Sequence, residues 1–128
     1  MITEDYVSFE TAKLLKEKGF NEGCRQYLYR GNLIFSRSEI WNRELDNYED
    51  EGWAAPTLQM AMKWLRENYN IYCDIGYDDC DWFWNIISVD KNVPVEDRPL
   101  FIKNGLAGYK SYEEACEEAI KYCLKELI

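Results

Sequence analysis

A chain of 128 residues has the length of one compact domain, and with 47% hydrophobic and 30% charged residues it carries enough apolar surface to fold. Its 24 acidic residues against 15 basic ones give a net charge of -9, a field that repels nucleic acid and anionic membrane surfaces. No uncharged stretch approaches the roughly 18 residues of a membrane helix and no basic, apolar leader opens the chain, so a cytoplasmic protein is expected, with no direct nucleic-acid or membrane partner.

Three pentapeptides share one grammar: SFETA at 8–12, TLQMA at 57–61 and SYEEA at 111–115. In each, Ser or Thr fits the N-cap, where its hydroxyl accepts from a free backbone N–H of the first turn, and a small Ala lets that turn approach the core. The likeness is that of helix starts, not of a duplication. The first helix runs over 8–18, stopped by Gly19 as the left-handed residue and Phe20 as the hydrophobic contact beyond it. QYLYRGNLIF at 26–35 sets Gly31-Asn32 between two aromatic-rich runs and predicts a two-residue hairpin.

Residues 36–55 mix charge with Trp41 and Trp53 and have room for a short helix. From Thr57 a second helix buries Leu58, Ala61, Met62, Leu65 and Tyr69, with Trp64 on its flank. A second hairpin follows over 71–90, its strands IYCDIGY and WFWNIISV joined across Asp78 to Asp81. Trp82, Trp84 and Ile86 alternate with Phe83, Ile87 and Val89, so both faces of this strand are largely apolar. Residues 91–110 hold Pro94, Pro99, Gly105 and Gly108, with a short strand expected at 100–103.

The third helix runs from Ser111 to the end and buries Tyr112, Ala115, Cys116, Ala119, Ile120, Cys123 and Leu127. Ser111 with Glu114 spells a full capping box; Ser8 and Thr57 lack the acidic partner three residues on. Glu117 and Lys121 form an i, i+4 pair in the favourable order. The expected architecture is α+β: three helices packed on a curved antiparallel sheet of about four strands, two layers in one domain spanning 1–128.

Three stretches taken together, FETAKLLKEKGF, APTLQMAMKWLRENYNI and YKSYEEACEEAIKYCLKEL, resemble in the same order small uncharacterised proteins encoded in prophages and mobile elements of gut Bacteroides. Ala55, Pro56, Thr57 and Leu58, followed by Trp64, Leu65, Arg66 and Glu67, carry the resemblance most specifically; Met60 departs from the Glu often found at its place. The resemblance implies a genomic setting and supplies no activity, cofactor or catalytic residue.

Enzymatic chemistry has little to stand on. The chain contains no His, which removes Ser-His and Cys-His nucleophiles and the commonest metal ligand. Five cysteines, an odd number with no Cys-x-x-Cys pair, read as reduced thiols, with Cys116 and Cys123 filling the core stripe of the last helix. Asp74, Asp78, Asp79 and Asp81 form the sharpest polar cluster, yet they lack the glycine and distal Glu of an EF-hand loop and suit a hairpin tip. No catalytic residue, metal or cofactor is assigned. The sequence favours a non-enzymatic protein that binds another protein, including a second copy of itself as a homodimer, through Trp82, Phe83 and Trp84 with Trp41 and Trp53 as further interface candidates. Alternatives are an acidic mimic of nucleic acid that blocks a DNA-binding host defence protein, or a small enzyme of unknown type.

Overall fold

In a computed structural model the described residues are 2–45, 52–88, 92 and 103–128. Helix α1, Phe9–Glu17, begins where Ser8 Oγ accepts from Thr11 N at 3.3 Å and buries Thr11, Ala12 and Leu15. It stops as anticipated. Gly19 takes a φ of +92°, Gly19 N donates to Lys16 O at 3.1 Å, and Phe20 N reaches Leu15 O at 2.9 Å, which together satisfy the last carbonyls of the helix.

Strands β1, Cys24–Tyr29, and β2, Asn32–Ile40, form the first hairpin. Its turn is Arg30-Gly31, one residue earlier than the sequence suggests: φ is +52° and +78° at these two positions, as a type I′ turn requires at both centres. Glycine takes the second central position, so Asn32 starts β2 rather than finishing the loop. Residues 36–39 of β2 bow outward opposite Arg25 alone, whose guanidinium donates from Nη1 to Arg37 O at 2.8 Å. A short helix α2, Asn42–Leu45, leads toward β3, Gly52–Ala54, which pairs with the other side of β1 to give a sheet in the order β2-β1-β3.

Helix α3, Leu58–Tyr69, is capped by Thr57, whose Oγ1 accepts from Met60 N at 3.1 Å. It ends at Asn70 in the left-handed region. Here two expectations change places. Trp64 is buried, edge-on to Phe20 at 5.4 Å, whereas Tyr69 in the last turn is 37% exposed. The indole is wide enough to reach the core from the flank of the stripe, and Tyr69 lies at its edge, where its hydroxyl donates to Lys18 O at 3.3 Å.

Strands β4, Ile71–Tyr77, and β5, Trp82–Ser88, pair in full register from Ile71↔Ser88 to Tyr77↔Trp82, as the sequence predicts. Strand β6, Lys103–Tyr109, adds to the far side of β5 and completes a second sheet in the order β4-β5-β6. Of the strand expected at 100–103, only Lys103 lies within the described residues. Helix α4, Tyr112–Tyr122, continues into a wider π turn, Cys123–Leu127.

The class is α+β. The arrangement differs from the expectation of one four-stranded sheet under three helices: there are two three-stranded antiparallel sheets and four helices. Each hairpin recruits a third strand of its own, three residues long in β3 and seven in β6, so the two sheets stay separate. α4 lies across all three strands of the second sheet, α1 touches β3 of the first, and α1 and α3 both meet α4. One hydrophobic cluster therefore runs from Leu28 and Trp53 through Ala12, Leu15 and Leu65 to Trp84, Ile86 and Ile120.

The caps hold one surprise for the sequence reading. Glu114 does not close its box on Ser111; its Oε2 accepts from Lys110 N at 3.1 Å while Ser111 Oγ accepts from Glu114 N at 3.1 Å. Glu117 does not pair with Lys121 either. It reaches across to α1, where its Oε1 accepts from Ser8 N at 3.1 Å and from the buried Thr11 hydroxyl. Lys121 instead meets Glu118 and Glu10, each at 3.4 Å. The acidic partner that α1 lacks in its own sequence is thus supplied by α4. Ser8→Ala and Ser111→Ala are accordingly expected to cost about 1 kcal/mol each, where the sequence alone ranks Ser111 higher. Urea unfolding of the two variants checks this; a much smaller loss for Ser8 would mean that Glu117 does not act as its partner.

Candidate interaction surface

The structure separates the aromatic residues that the sequence groups together. Trp82 and Trp84 share the helix-facing side of β5. Trp84 is 4% exposed, its ring lies 5.2 Å from that of Tyr122, and its Nε1 donates to the Tyr109 hydroxyl at 3.0 Å. Trp82 sits between Tyr77 at 5.1 Å and Tyr112 at 5.7 Å. Phe83 points to the opposite side and covers its neighbour Gly76, where an added Cβ would stand 2.3 Å from the Phe83 ring. Trp53 belongs to the other sheet, buried edge-on against Phe9 at 4.7 Å. Trp41 is half-buried beside Gly23, with the Arg43 guanidinium 5.9 Å from its ring centre. The five rings therefore do not form one surface.

A different surface emerges from β2, which the sequence reading placed in a hairpin without singling out. Leu33 and Phe35, two residues apart, project from the same face and are 41% and 65% exposed. Leu33 stands opposite Leu28 and Phe35 opposite Gln26, so the row continues a face whose inner members, Leu28 and Trp53, are core. Tyr6 forms its rim: the ring meets Phe35 edge-on at 6.2 Å, and the hydroxyl accepts from Gln26 Nε2 at 2.8 Å. β2 is also an outer strand of its sheet. The signal in the sequence is the alternation of Leu33 and Phe35; periodicity gives their shared face but not whether a helix covers it.

Charge is distributed unevenly around this row. Residues 24–41 contain Arg25, Arg30 and Arg37 against the single acid Glu39, on a chain whose net charge is -9. All three arginines are exposed. The hairpin is a locally basic, partly apolar projection on an acidic protein.

The remaining polar groups are accounted for by structure. Asp78 Oδ1 accepts from Asp81 N at 3.0 Å and Cys80 N at 3.2 Å, and these amides hold its carboxyl below the ordinary carboxylate range. That is the work of a turn former. Among the described residues no three His, Cys, Asp or Glu side chains are arranged to hold a metal ion. A cleft of about 240 Å³ between β5 and α4 is lined by Trp84, Tyr109, Glu118, Lys121, Tyr122 and Lys125, but Lys121 and Lys125 are already paired with Glu10 and Glu118. Among the described residues no helix is long and apolar enough to cross a membrane.

Compared with protein-family models, curated proteins and solved structures, the chain matches none of them.

Proposed function

We propose that this is a non-enzymatic accessory protein that works by binding another protein through the exposed Leu33–Phe35 row of the β1–β2 hairpin, in the mobile-element setting that the sequence resemblance implies. The exposure of Phe35 at 65%, on a row that continues the core, is the observation that carries the reading. Large rings left in water beside an apolar neighbour mark contact surfaces more than they do solvent faces.

The test compares wild type with the double variant Leu33→Ser, Phe35→Ser as immobilised baits in an extract of the natural host, washed at rising salt. A partner held by wild type at about 1 M salt, where charges are screened beyond about 3 Å, and lost by the variant is the expected result. Sedimentation equilibrium at micromolar concentration asks the same question of a second copy, which Phe35→Ser should dissociate. An association that ignores both substitutions and collapses with salt would replace this reading with acidic mimicry.

A further inference from the structure

Four of the five thiols are buried, and two of them face each other across the core. Cys73 lies on the helix-facing side of β4, and Cys123 opens the π turn at the end of α4. Their Sγ atoms are 3.9 Å apart and the two residues are 4% and 0% exposed. The sequence reading treats Cys123 as apolar filler and gives no sign that Cys73 opposes it. Cys123 follows α4 at helical φ and ψ of -58° and -44°, on the same buried stripe as Cys116, and this places its sulfur over β4.

We propose that Cys73 and Cys123 are an oxidisable pair whose disulfide staples β4 to the last turn of the chain. The oxidant is a hydroperoxide. Cys123 Sγ attacks the O–O bond, which releases an alcohol or water and leaves a sulfenic acid; Cys73 Sγ then attacks that sulfur and expels its oxygen as a second water. The pair loses two electrons, the peroxide gains them, and both thiol protons end in the products. Closure brings the sulfurs from 3.9 Å to about 2.05 Å.

The fold also sets the pace of this step. The bond to Cys123 and burial push the Cys73 thiol upward, so Cys73 stays protonated while the core is closed, and both sulfurs are out of reach of solvent. Reaction waits until the final turn opens. That turn is tethered by Lys18 Nζ donating to Ile128 O at 2.7 Å and by Lys125 with Glu10 at 2.7 Å.

Full-length protein incubated with hydrogen peroxide, alkylated in denaturant and digested with trypsin and Asp-N gives the answer, because cleavage at Lys121 separates Cys116 from Cys123 and cleavage before Asp74 and Asp78 separates Cys73 from Cys80. The expected product joins the Cys73 peptide to the Cys123 peptide, is absent from Cys123→Ala, persists in Cys116→Ser, and forms several-fold faster in urea too dilute to unfold the protein. The Cys116→Ser arm keeps both sulfurs and so remains informative even where Cys123→Ala folds poorly. A Cys73–Cys116 link would overturn the assignment. So would two free thiols at a peroxide dose that oxidises the exposed Cys80, or a link whose rate ignores urea.

Discussion

Asn42→Leu is expected to destabilise the protein by about 3 kcal/mol, because it strips two buried backbone groups of their partners at roughly 1–3 kcal/mol each. Asn42 is 3% exposed. Its Nδ2 donates to Phe20 O at 2.7 Å and its Oδ1 accepts from Ala54 N at 2.8 Å, so one amide side chain ties the end of α1 to β3. Leucine fills the volume and supplies neither donor nor acceptor. Asn21 is the comparison: its Oδ1 accepts from Arg43 N at 3.2 Å in an exposed place, where water replaces a lost bond, and Asn21→Ala should cost no more than about 1 kcal/mol. Urea denaturation of both variants checks the contrast. Equal losses would mean that water reaches the Asn42 bracket.

Asn42 also shows where reading the sequence stops. In residues 36–55 it is one polar residue among many, and nothing in its neighbours says that two distant backbone groups need it. Glu117 is a similar case: its spacing to Lys121 invites an ion pair, but the unpaired amide of Ser8 and the buried hydroxyl of Thr11 compete for it and win. A charge-assisted hydrogen bond to the buried Thr11 hydroxyl outweighs a solvent-screened helix pair, which is worth a few tenths of a kcal/mol. Part of the local grammar was legible. The three N-caps, the Gly19 stop and the β4–β5 hairpin follow from residue type and period.

The third strands were not legible for a related reason. β6, KNGLAGY, contains two glycines and no β-branched residue, and β3, GWA, is three residues long. Neither has local preference enough to declare itself. They become strands because β5 and β1 each offer an open edge beside them. Missing both made one sheet out of two.

The Trp82–Trp84 strand is covered unequally on its two sides, which gives the second large effect. Trp84→Ala is expected to cost about 3–5 kcal/mol, since it empties a core position against Tyr122 and removes the partner of the Tyr109 hydroxyl. Phe83→Ala, one residue away, should cost only about 1.5 kcal/mol. Phe83 is half-buried, and it covers bare backbone at Gly76 rather than packing beneath a helix. An aromatic ring laid over a glycine on the neighbouring strand shields the ladder and replaces the contact a side chain would have made. Gly76→Val tests that reading from the other strand: its Cβ would fall 2.3 Å from Phe83 Cζ, so the ring must swing into water. The variant should therefore lose the stabilisation of Phe83→Ala and show little further loss when the two are combined. Chemical denaturation of the two single variants and the double variant closes the cycle. Additive losses would show that Phe83 does not depend on Gly76, and equal losses for Trp84→Ala and Phe83→Ala would mean that the two faces of β5 are covered alike.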